Sequence, residues 1–218
     1  MTTQDTRSRG GRLPRSARRT QLLGAAREVF VAHGYHAAAM DEIAERAGVS
    51  KPVLYQHFPG KRDLYLALLA EHTQQLIDAV RFALTSTAEN KQRVAATLAA
   101  YFSFIDSESE AFLLIFESDL TNDGDVRALV DRVSSECSAM FADVIGQDTG
   151  LAREEAELLA VALAGMAQVS ARYWLQTGRT VPRAAADRLI SQLSWRGIRG
   201  FPKNEDGVVG AERASGVG

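Results

Sequence analysis

A single cysteine, Cys137, stands in this chain of 218 residues. It excludes an internal disulfide and any zinc site built on cysteines. Set among apolar residues at helical spacing, it reads as a buried structural thiol rather than a redox sensor. Proline is scarce, with five residues, and no succession of Val, Ile and Thr runs broken by turns occurs, so a sheet is not expected. No stretch approaches the ~20 apolar residues of a membrane helix. The first residues carry charge without the apolar segment of a secretory signal, so the expected location is the cytoplasm, with no membrane partner. There is no Gly-rich phosphate loop and no nucleophile elbow. His33, His36, His57 and His72 lack metal-ligand spacing with acidic partners. The segment DLTNDGD at 119–125 fails as a calcium loop, because Thr121 and Val130 occupy ligand positions, and reads as a loop and helix cap. No enzymatic constellation emerges, and neither a cofactor nor a metal is expected.

What is present favours helix. Hydrophobic residues make up 46% of the chain, ample for a core, and long stretches are rich in Ala, Leu, Glu and Arg. Charge is uneven. Residues 1–65 hold 11 Lys and Arg against 6 Asp and Glu, a net of +5, whereas the remainder holds 14 against 21, a net of −7. A basic front on an acidic body points the front toward a polyanion. Residues 1–12 are polar and read as a disordered basic arm. A first helix runs from Pro14 or Ser16 to His33, with Leu22, Ala26, Phe30 and His33 inward and Gly34 as its stop. Further helices are expected at about 40–47, 51–58, 61–83, 89–106, 110–120, 126–145, 153–176 and 182–199, and a Gly-rich tail at 201–218. The helix at 61–83 carries the stripe Leu64, Leu68, His72, Leu76 and Val80 at the 3.6-residue period.

Residues 43–58 read IAERAGVSKPVLYQHF. Ala44 is small where two helices must cross. Gly48 suits the left-handed conformation that reverses the chain, and Val49 plugs the small core. Ser50 is a good N-cap, and Pro52 falls in the first helical turn, where its missing N–H costs little. Leu54 and Phe58 form the inner face. This is a helix-turn-helix, whose second helix enters the major groove of duplex DNA N-terminal end first. The outward face then carries Lys51, Pro52, Val53, Tyr55, Gln56 and His57. Lys51 suits guanine acceptors or a phosphate, Gln56 suits adenine, and Pro52 or Val53 suits a thymine methyl. Tyr55, His57 and Lys61 suit phosphate contacts that set register, and Lys61 gains from the start of the next helix. Ser50, Arg12 and Arg15 complete the expected DNA-contacting set; the arginines either form an arm on the backbone or minor groove or are simply solvated.

The blocks VFVAHGYHAAAMDEIAERAG and VSKPVLYQHFPGKRDLYLALL, spanning residues 22–69 with their flanks, resemble the TetR family of transcriptional regulators. One departure is Ala39, at a place where the family often has a capping Thr that contacts phosphate. The resemblance implies an all-α homodimer: an N-terminal three-helix DNA-binding domain with the helix-turn-helix at 13–60, and a larger α-helical ligand-binding and dimerisation domain at 61–200. It implies that the last two long helices form the dimer face, with Ala160, Ala164, Ala167 and Ala171 allowing close approach and Trp195 as an interface anchor.

Beyond the DNA-binding half, RLPRSARRTQLLGAAREVF, FLLIFESDL and ARYWL resemble an actinobacterial branch of the family that senses long-chain acyl-CoA and activates fatty-acid synthesis genes. The partners this implies are an operator duplex, a small apolar effector of the acyl-CoA kind, and a second copy of the chain. An aromatic and Met-rich set including Tyr101 and Phe141 is compatible with an apolar channel. From it Phe102, Phe104, Phe112, Phe116, Met140, Met166, Tyr173 and Trp174 are the expected effector contacts, although such residues also build ordinary cores. Two other readings stay open: a TetR-type repressor of an efflux or catabolic gene with another apolar effector, and a ligand-binding dimer without DNA recognition.

Overall fold

Two glycines with positive φ set the geometry of the first third of the chain. Gly34 (φ 73°) breaks the first helix, α1 (Arg15–Ala37), near its end. Gly48 (φ 63°) reverses the chain between α2 (Met40–Arg46) and α3 (Lys51–His57). After α2 the Gly48 N–H donates to the Glu45 carbonyl and the Val49 N–H to the Ala44 carbonyl, both at 2.9 Å. The computed structural model describes residues 13–107, 120 and 123–198. Its remaining helices are α4 (Lys61–Thr85), α5 (Asn90–Ser107), α6 (Gly124–Thr149), α7 (Arg153–Gln176) and α8 (Arg183–Ile198). The helix expected at 110–120 lies outside the described residues apart from Leu120, as do the arm at 1–12, the tail from 201 and the FLLIFESDL segment.

The chain divides into two compact units, 1–68 and 69–218. The division falls within α4 rather than at Pro59-Gly60, because Leu64, Tyr65 and Leu68 are buried with the first unit's apolar residues while the same helix runs on into the second. In the first unit α1 packs on α2 and α2 on α3. Leu22, Ala26, Phe30, Ile43, Ala44, Leu54 and Phe58 are all buried, each of the larger ones worth ~1.5–3 kcal/mol of transfer free energy. Phe30 meets Tyr65 edge-on at 4.9 Å, and Tyr35 meets Tyr65 at 5.0 Å, so aromatic edges and faces join α1 to α4. His33, expected inward, is exposed instead and pairs with Glu42 at 2.9 Å. A polar ring has a partner on α2, and that outweighs the apolar periodicity of its helix.

The second unit is helix on helix. α6 packs along α7, and α5 along α8. The expected stripe holds along the whole of α4: Leu64, Leu68, His72, Leu76 and Val80 are all buried. The main core joins Leu76, Ile77 and Val80 to Phe102, Ile105, Val133, Ala171 and Trp174. A smaller one joins Ala142, Ile145, Ala156 and Ala160. The Asp123 carboxylate caps α6 by accepting from the N–H groups of Asp125 (2.9 Å) and Val126 (3.3 Å), as the helix-cap reading of 119–125 requires. Gly150 (φ 69°) closes the same helix.

Two expectations for α7 are corrected. Ala160 and Ala171 are buried in this unit's own cores and Ala164 and Ala167 line its cavity, so the small residues let α7 approach its neighbours in the chain. By length and composition α7 is also long and apolar enough to cross a membrane. It is apolar on two faces: the alanine face is internal, while Leu158, Val161, Val169 and Tyr173 are 58–72% exposed.

Candidate DNA-reading surface and effector cavity

In the first unit, α3 buries Leu54 alone, with Phe58 just beyond its end. Everything else on the helix is therefore available. Lys51, Pro52, Tyr55 and Gln56 are exposed, and Val53 and His57 are half-buried. Pro52 sits in the first turn as expected. The Ser50 hydroxyl, expected to cap, makes no capping bond; the Ser50 carbonyl instead accepts from Val53 (3.0 Å) and Leu54 (3.3 Å). Backbone geometry alone starts this helix.

The cations behave differently from one another. Lys51 Nζ donates to Asp41 Oδ2 at 2.6 Å, with both side chains 61% exposed. Lys61, expected to face phosphate, is already engaged: its Nζ donates to the carbonyls of His36 and Ala38, both at 3.0 Å, and lies 4.7 Å from the Tyr35 ring centroid. It ties the segment after Gly34 to the start of α4. Ala39 offers α2 no side-chain cap, and Lys61 holds the chain just before it. Arg12 lies outside the described residues. Arg15, Arg18 and Arg19 of α1 bring positive charge toward the end of α3. The Arg19 guanidinium lies 4.6 Å over the Phe58 ring. Burial first, then Arg15, Arg19 and Arg18, hold the His57 imidazole below its ordinary 6.5. Gln21 fixes α1 to the turn by donating to the Ala47 carbonyl at 2.8 Å. The result is a basic, partly aromatic ridge on the first turns of α1 and on α3.

The second unit contains an apolar cavity of about 160 Å³. Val80 and Leu84 of α4, Leu98 and Tyr101 of α5, Cys137, Phe141 and Ile145 of α6, Leu163 and Ala167 of α7, and Trp195 of α8 line it. Polar groups gather where α5 begins and α6 ends. There Arg93 meets Asp148 at 3.5 Å and Asn90 at 2.9 Å, and its Nε donates to the Thr87 carbonyl at 3.3 Å. The Thr97 hydroxyl, also on the lining residues, is buried with no hydrogen-bond partner among the described residues. Burial, and next Glu136, push the Cys137 thiol up to about 11, so it is an inert wall group, as a structural thiol should be. Burial first, with Cys137 adding and Arg172 opposing, raises the Tyr101 phenol above its ordinary range.

None of the expected effector contacts among the described residues lines this cavity. Phe102, Phe104 and Trp174 are buried in the main core. Trp174 also braces the turn between α7 and α8, its indole N–H donating to the Val181 carbonyl at 2.6 Å. Met140 and Met166 are half-buried away from the cavity, and Tyr173 is 68% exposed. Phe112 and Phe116 lie outside the described residues. Tyr101 and Phe141 are each one position from an expected residue, a step of about 100° around a helix. At these two places the expected residue and the cavity-lining one share a turn of helix and not a face. Trp195, expected as a dimer anchor, is half-buried and belongs to the cavity wall.

Residues 22–68 match the model of the bacterial regulatory proteins of the tetR family. The chain is 47% identical over 194 residues to the HTH-type transcriptional activator FasR of Mycolicibacterium smegmatis, covering 89% of each. The chain belongs to the TetR family. It is a DNA-binding transcriptional regulator of the effector-controlled type, and its relatives are named as regulators rather than enzymes. It is also 31% identical over 85 residues to the fatty acid metabolism regulator protein of Bacillus subtilis, covering 39% of this chain and 44% of that one. The structure of the regulator FadR from B. subtilis in complex with stearoyl-CoA superposes with a TM-score of 0.68 at 19% identity, covering 80% of this chain and 96% of that one. At that identity the likeness is one of fold.

Proposed function

We propose that this TetR-family regulator binds its operator as a homodimer, answers to long-chain acyl-CoA and controls genes of fatty-acid synthesis in the cytoplasm. The observation that carries the effector reading is the mainly apolar cavity, whose charged lining residues, Arg93 and Asp148, stand together where α5 begins and α6 ends, as a chain with a polar terminus requires. The stearoyl-CoA bound by a protein of the same fold and the fatty-acid role in a relative's name support the same ligand class. On DNA, Lys51 and Gln56 read bases, Pro52 and Val53 meet thymine methyls, and Ser50, Tyr55, His57 and Arg15 contact phosphate. Lys61 acts through the α1–α2 connection that it holds.

The exposed apolar residues of α7, together with Leu189 and Leu193 of α8 at 57% and 59% exposure, are the surface offered to a second copy. The helix α4 starts among the first unit's buried residues and carries Val80 and Leu84 of the cavity wall, so one helix belongs to both tasks. An effector that shifts α4 changes the spacing of two reading helices that must meet half-sites about 34–36 Å apart. A mobility-shift titration on the DNA upstream of the gene, with and without palmitoyl-CoA, tests the proposal. A change in affinity of about 5- to 150-fold is the expected range for such coupling. A change below about twofold, well short of that range, would sink the acyl-CoA reading.

A further inference from the structure

A second depression lies beside the cavity. It is formed by Lys91 on the first turn of α5 and by Gln192, Trp195 and Arg196 toward the end of α8. The Trp195 indole lines both spaces, so the depression and the apolar cavity share a wall. The two helices pack against each other, which brings two exposed cations from distant parts of the sequence to one place. Neither Lys91 nor Arg196 has an ion-pair partner among the described residues. Arg93, the other cation near this end, is different: Asn90, Asp148 and the Thr87 carbonyl already take its donors. The unit that carries them is acidic overall, so a local pair of free cations is not a product of composition.

We infer that Lys91 and Arg196 form the headgroup subsite of the effector, holding the phosphates of an acyl thioester whose chain lies in the cavity. The inference rests on the acyl-CoA reading proposed above and adds how the ligand is told from a free fatty acid. Arg provides a forked donor for phosphate oxygens and Lys a mobile point charge. Gln192 adds an amide beside them. Trp195, which borders both spaces, stands between the apolar and the polar end of the ligand.

The experiment measures equilibrium binding by full-length protein of palmitoyl-CoA, S-palmitoyl-pantetheine (the same thioester without phosphate), palmitate and lysophosphatidate. The same four ligands are titrated into Lys91→Ala/Arg196→Ala. The wild type is expected to bind palmitoyl-CoA at least about tenfold more tightly than S-palmitoyl-pantetheine, the scale of one charge-assisted contact. The double variant should lose that preference and the accompanying salt dependence, while keeping its affinity for S-palmitoyl-pantetheine and its melting temperature. Equal binding of the two thioesters by the wild type, or an unchanged preference in the variant, overturns the subsite and leaves the acyl reading standing. Tighter binding of lysophosphatidate than of palmitoyl-CoA overturns the assignment to a thioester carrier. Failure of both thioesters to bind overturns the subsite and the acyl-CoA reading together.

Discussion

Lys51 meets Asp41 in an ion pair that is open to water on both sides. Such pairs are worth ~0–1 kcal/mol, so DNA can take Lys51 from Asp41 at little cost, but the carboxylate remains near the phosphates. Asp41→Asn is therefore expected to tighten operator binding by up to about fivefold, and Lys51→Ala to weaken it and relax base preference at one position of each half-site. Titrations on the operator and on single-base variants check both. At Thr97 a buried hydroxyl lacks a partner among the described residues, and an unsatisfied buried group costs ~1–3 kcal/mol. Thr97→Val is expected to raise the melting temperature without altering DNA affinity in the absence of effector. For His57 the sign follows from its lowered pKa. The unfolded chain takes up the proton first, near 6.5, and the folded protein only at lower pH. Stability is expected to fall as pH drops from about 6.5 downward, and His57→Gln should flatten that slope in thermal melts between pH 5 and 7.5.

At the scale of the element, the turn between α2 and α3 depends on Gly48. Open space surrounds the position where a Cβ would stand, so the obstacle to a side chain is the backbone alone. The left-handed region costs an L-residue ~1–2 kcal/mol. Gly48→Ala is expected to lower stability by about that amount, read by denaturant midpoint, and to reduce DNA affinity further because the turn aims α3. The helix-turn-helix was legible from sequence because each of its residues does a local job: Gly48 turns, Pro52 starts, Leu54 and Phe58 face inward. The exceptions are equally local to explain. The Ser50 hydroxyl makes no capping bond, and His33 turns outward to Glu42. The bonds of Lys61 to the His36 and Ala38 carbonyls were not legible, because these acceptors belong to a segment more than twenty positions away.

At the scale of the molecule, the exposed apolar residues of α7 and α8 are the face proposed for a second copy. A glutamate at Val169 or Leu193 places charge on that surface and leaves the alanine core alone. If the proposed dimer uses this face, Val169→Glu or Leu193→Glu shifts the protein to monomer in sedimentation velocity and abolishes binding to a two-half-site operator. An unchanged dimer would move the interface elsewhere.

The sequence by itself determined the all-helical class, the reading helix and its outward face, and the family. These follow from short-range periodicity and turn chemistry, where a residue's neighbours in the chain are its neighbours in space. Only the tertiary structure decided which aromatic residues line the cavity, that the alanines of α7 face inward, and that Trp195 stands between an apolar space and the Lys91–Arg196 pair. Apolar residues carry the same periodic signal whether they meet a core, a ligand or a second copy. Only the packing of α5 against α8 and of α6 against α7 distinguishes the three.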